Sequence, residues 1–79
     1  MQIGLPEGYL PKNLRFLREK YGLSRRALAL LVGVEPSVLR RIEQGRTPLE
    51  MPLEAFRRLY IIFELSADDL VFFDLSAHL

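Results

Sequence analysis

Apolar residues recur at helical spacing along almost the whole of this 79-residue chain, and glycine or proline cuts each run short. No strongly alternating strand pattern appears before the last few residues, so the spacing predicts an all-α fold of short helices. Pro11 opens a first helix at its first position, with Leu14, Leu17 and Tyr21 at i, i+3 and i+7 as its buried stripe. Gly22 ends that helix in a left-handed conformation, with Leu23 packed back over the end. Ser24 caps a second helix from Arg25, with Leu28, Leu31 and Val32 inward, and Gly33 stops it. Pro36 starts a third, with Val38, Leu39 and Ile42 inward and Gly45 just past its end. Arg46 to Met51 reads as a loop. Pro52 begins a fourth helix carrying Leu53, Phe56, Leu59, Tyr60 and Phe63. Ser66 caps a fifth, with Asp68 and Asp69 at the positive end of its dipole. No repeat or linker interrupts the series, which reads as one five-helix domain over 1–79.

Size and composition narrow the function. A chain with 49% apolar and 27% charged residues is long enough for one small core and no more. Such a chain buries only about 60–65% of its unfolded surface, so its ends are expected to contribute area. There is no cysteine, which removes disulfides, thiolate metal sites and cysteine nucleophiles. The single histidine, His78, leaves no imidazole cluster or acid–base pair, and it reads as a solvated tail residue. The acids Asp68 and Asp69 are explained as helix-start residues, so neither an enzyme nor a cofactor is expected. The longest apolar stretch, Ala27 to Val34, falls far short of the roughly 20 residues of a membrane helix. The N-terminus lacks the basic and apolar regions of a signal peptide, which fits a cytoplasmic protein.

The charges are segregated. From Lys12 to Arg46 nine basic residues face three acids, a net charge of +6, whereas the remainder carries two basic residues and seven acids, a net charge of −5. That separation suggests one side facing a polyanion.

Two short helices joined by a turn of about three residues containing glycine form a helix-turn-helix. Leu23 to Gly45 reads LSRRALALLVGVEPSVLRRIEQG, and it resembles the phage-repressor and Cro-like family of helix-turn-helix proteins, often called XRE. Leu23, Ser24, Leu28, Ala29, Gly33, Val34, Leu39, Ile42, Glu43 and Gly45 fall on that family's pattern. NLRFLREKYGLS is similar to its first helix and LEAFRRLYIIFELSADDL to its last two, so the likeness covers about residues 12–70. It implies a compact five-helix lambda-repressor-like domain whose second and third helices form the helix-turn-helix. Two physical reasons support the matches: Ala29 lets the third helix cross close to the second, and Gly33 supplies the left-handed turn.

The resemblance also implies roles. The third helix, about residues 36–44, enters the major groove of double-stranded DNA, with Pro36, Ser37, Arg40, Arg41 and Gln44 as base-reading candidates. Arg41 is the leading one, because a guanidinium can bind guanine O6 and N7 together. Ser24 and Arg25 at the start of the second helix, with Arg46 after the third, are the phosphate-binding candidates. Arg18 and Glu43 are implied to form a partly buried structural ion pair. The chain departs from the pattern at Arg25, which stands in place of glutamine, at Glu35-Pro36, which opens the third helix, and at Glu64, where glycine is common.

Family members commonly act as two-fold dimers on half-sites about one helical turn (~34 Å) apart. Val71, Phe72, Phe73 and Leu75 are the expected dimerisation residues, with packing of the tail onto the domain's own core as an equal alternative. The functional expectation is a transcriptional regulator, a repressor, that binds specific DNA sequences. The alternative is an interaction module or antitoxin-like protein that keeps the fold and binds a protein partner through its apolar C-terminal surface.

Overall fold

A computed structural model describes residues 1–78. In chain order it contains β1 (Gln2–Leu5), α1 (Leu10–Lys20), α2 (Arg25–Val32), α3 (Pro36–Glu43), β2 (Leu49–Pro52), α4 (Leu53–Ile62), α5 (Ala67–Phe72) and a 3-10 turn (Leu75–Ala77). All five expected helices are present. The start of α1 is one residue earlier than the sequence suggests, with Pro11 second in the helix.

Local chemistry sets the helix boundaries. Ser24 Oγ accepts the Ala27 N–H at 3.0 Å, and Ser66 Oγ accepts the Asp69 N–H at the same distance, so each serine caps its helix. After α1, Gly22 adopts φ +67°, Leu23 N–H donates to the Arg18 carbonyl at 2.9 Å, and Gly22 N–H donates to that of Glu19. This is a Schellman closure. The same arrangement ends α3 at Gly45 and α4 at Glu64, and Glu64 holds the left-handed conformation at φ 55° without being glycine.

The fold class is as expected, a predominantly α domain of five helices, with a small two-stranded sheet added to it. β1 and β2 pair antiparallel, with Gln2 opposite Pro52, Ile3 opposite Met51, Gly4 opposite Glu50 and Leu5 opposite Leu49. The segment read as a loop to Met51 therefore ends in a strand. Each strand has four residues, so only two side chains alternate inward, too few to stand out in the sequence. Leu49 and Met51 are buried, Met51 within the main core cluster, and Ile3 and Leu5 pack against that cluster.

Two other inward assignments fail. Tyr21 is 59% exposed, its ring beside that of Phe63, and α1 buries Leu10, Asn13, Leu14 and Leu17 instead. Leu31 is exposed; α2 buries Leu28, Ala29 and Val32. One cluster of apolar side chains from every helix, with Met51 of β2, forms the core.

The chain ends are tied down. Tyr9 N–H donates to the Val71 carbonyl at 2.7 Å, and a β-carbon on Gly8 would collide with that same oxygen. Asn13 is fully buried; its Nδ2 donates to the carbonyls of Leu70 (2.7 Å) and Phe73 (2.6 Å), and its Oδ1 accepts the Leu75 N–H. Lys12 pairs with Asp74 at 2.7 Å. Val71 and Leu75 are thereby buried in the molecule's own core, which takes them out of the expected dimer surface, and Phe72 and Phe73 remain exposed.

Candidate nucleic-acid interface

The turn between α2 and α3 runs from Gly33 to Glu35. Gly33 is left-handed at φ +79°, and its N–H and that of Val34 both donate to the Ala29 carbonyl. Ala29, Leu39 and Ile42 are buried in the core, so the crossing of the two helices is fixed by packing rather than by the turn alone.

Fixing that inner face determines what α3 presents outward. Ser37, Arg41 and Gln44 recur at i, i+4 and i+7 and are all exposed, with exposed Arg40 beside Arg41 and half-buried Pro36 at the helix start. Arg46, beyond the end of α3, is exposed as well. Among the described residues, Arg40, Arg41 and Arg46 enter none of the ion pairs. Arg40 and Arg41 on α3 and Arg46 just past its end therefore leave this side of the domain cationic.

At the start of α2, Ser24 spends its oxygen on the Ala27 amide and still has its O–H to donate. The first-turn N–H groups of Arg25 and Arg26 lack partners in the helix, the usual state of a helix N-terminus, and the positive end of the dipole lies there. Arg25 is less free than the sequence suggests. Its Nε–H donates to Glu43 Oε1 at 3.2 Å.

Glu43 is the hub beneath this surface. Arg18 grips its carboxylate with two parallel hydrogen bonds, Nε to Oε2 and Nη2 to Oε1, each 2.9 Å. Arg18 Nη1 donates to the Leu23 carbonyl, so one guanidinium ties α1 to the end of α3 and to the α1–α2 turn. The hydrogen bonds to Glu43 push the Arg18 pKa further above its ordinary value, against the opposing effect of burial. The part of Arg25 in this cluster was not read from the sequence, and neither was Asn13. For Arg25 the usable signal is its location where the pattern has glutamine.

A family model described as a helix-turn-helix domain matches residues 12–71. The chain belongs to the helix-turn-helix domain family. Two solved structures are similar to this helix-turn-helix protein. A transcriptional regulator from Listeria innocua is 29% identical, with a TM-score of 0.69, covering 87% of this chain and 68% of that one. The restriction-modification controller protein C.AhdI from Aeromonas hydrophila is 28% identical, with a TM-score of 0.63, covering 77% of this chain and 89% of its own. A search of curated proteins found no match. The family assignment, the α2–α3 geometry and these neighbours support a DNA-binding regulator. Among the described residues, no helix is long and apolar enough to cross a membrane.

Proposed function

We infer that this protein is a transcriptional repressor that binds double-stranded DNA at specific sequences, with α3 in the major groove. The observation that carries this reading is the set of Arg40 and Arg41 on α3, whose other face is core, and Arg46 just beyond its end, all exposed and, among the described residues, in none of the ion pairs. Arg41 and Ser37 read base edges, with Pro36, Arg40 and Gln44 at the margins of the contact. Ser24, Arg25 and Arg46 hold phosphates and set the register. A domain lodged in the groove regulates by occupying its site, and repression is the outcome that needs no further part.

The binding unit in this reading is the whole chain, 1–79, acting in the cytoplasm as a two-fold dimer. Exposed Phe72 and Phe73 supply the apolar contact, and Val71 and Leu75 stay in the domain's own core. The same two rings favour the second reading, docking of a protein partner, because such exposed aromatics are suited to burial at an interface.

Selection of binding sites from a random duplex pool tests both. An inverted repeat with half-sites about ten base pairs apart is the expected result. Recovery of no motif by folded protein overturns the sequence-specific regulator and leaves the partner-binding module.

A further inference from the structure

Glu43 carries more positive charge than it needs. Its carboxylate, only 2% exposed, accepts hydrogen bonds from two guanidinium groups, so the cluster of Arg18, Arg25 and Glu43 has a net charge of +1. The two arginines are not equivalent. Arg18 is 11% exposed and has Nε and Nη2 on Glu43 and Nη1 on the Leu23 carbonyl, which leaves it little to offer a ligand. Arg25 is 37% exposed, and only its Nε is engaged. Its Nη groups have no partner among the described residues. They belong to the first residue of α2, beside the Ser24 hydroxyl and the unpaired first-turn amides.

We propose that Glu43 is a positioning residue for DNA binding: by holding the Nε of Arg25, it orders that guanidinium for a backbone phosphate at the start of α2. The inference rests on the DNA-binding reading above. A free arginine at a helix start samples many rotamers and must lose that freedom on binding. Anchoring the Nε removes part of the loss in advance and leaves the Nη groups as donors. The sign of Glu43 does not oppose a polyanion, because two guanidinium groups more than neutralise it and it has almost no surface. Arg18 serves by orienting the carboxylate that Arg25 leans on. The core ion pair and the DNA contact are thereby one connected device.

The test uses the full chain and a random-sequence duplex, with affinity measured over a range of salt concentrations. In the parent protein, Arg25→Ala is expected to lower affinity about tenfold and to reduce the salt slope by about one unit. In a Glu43→Leu background, which removes both acceptor oxygens, the same substitution is expected to cost no more than about threefold, because Arg25 is no longer ordered. An equal loss in both backgrounds overturns the proposal, and so does unchanged or tighter binding by Arg25→Ala, which means that Glu43 withholds Arg25 from DNA. A second measurement covers a Glu43→Leu chain that does not fold. In the unmodified protein, the Arg25 Nε–H resonance is expected to stay protected from solvent exchange after duplex is added. Its loss on binding overturns the proposal. If the unmodified protein shows no salt-dependent duplex binding, the DNA-binding reading falls and this inference falls with it; the variants separate that case from failure of the positioning role alone.

Discussion

Asn13 and Leu75 are 62 positions apart in the chain, yet the Leu75 N–H donates to Asn13 Oδ1 at 3.0 Å. With the Leu70 and Phe73 carbonyls on its Nδ2, this one amide closes the C-terminal segment over α1 and satisfies three backbone groups, two of them in buried hydrogen bonds.

Asn13→Leu keeps the volume and removes every one of those bonds. Each orphaned buried group costs about 1–3 kcal/mol, so a loss of roughly 3–5 kcal/mol is expected. Urea unfolding of both chains measures it. Hydrogen exchange should also show faster opening of the Leu70 to Leu75 segment. A change below about 1 kcal/mol would mean that the tail is held by its apolar side chains alone.

Arg41→Ala and Arg46→Ala should separate base reading from phosphate holding. The first is expected to relax preference at one base-pair position, at about 1–3 kcal/mol of discrimination. The second should weaken binding to all sequences alike and lower the salt slope by about one unit. Competition binding with single-position operator variants distinguishes them, and uniform loss in both would remove Arg41 from the reading role.

Glu64 holds a left-handed backbone at the end of α4. Glu64→Gly relieves a conformation that a β-carbon disfavours, and a gain of about 0.5–1 kcal/mol in thermal or denaturant unfolding is expected. A loss of stability would mean that the glutamate side chain contributes more than its backbone costs.

Asp74 accepts hydrogen bonds from Lys12 at 2.7 Å and from the Ser76 hydroxyl at 2.6 Å. Those bonds, the Lys12 contact foremost, hold its carboxyl below the ordinary value of 3.8. A pKa lower in the folded than in the unfolded chain stabilises the fold above the unfolded value. That contribution is lost as pH falls through the folded one. NMR titration of Asp74 should give a midpoint below 3.8, and Lys12→Met should move it upward. An unmoved midpoint would place the effect on Ser76.

The helices were legible because their signals are local. Ser24, Ser66, Gly22, Gly33 and Gly45 act within a few residues of themselves, and the i, i+3, i+4 rows of leucine report one buried face. The ten positions from Leu23 to Gly45 were legible for the same reason, since the turn and the crossing at Ala29 fall within one short segment.

What the sequence by itself determined is therefore the set of helices, the helix-turn-helix and the segregation of positive charge along it. Tertiary structure decided the rest. The strands pair residues about fifty positions apart, with two inward side chains each, and acquire meaning only when brought together. Tyr21 and Leu31 lie on helical stripes that their neighbours leave uncovered. Val71 and Leu75 became core while Phe72 and Phe73 stayed outside, because Asn13 and the Tyr9 amide fix the tail in one position. Arg25 acquired a partner because α1, α2 and the end of α3 converge on Glu43. Periodicity and capping are short-range and written in the sequence, whereas burial and charge pairing depend on which distant segments the fold sets side by side.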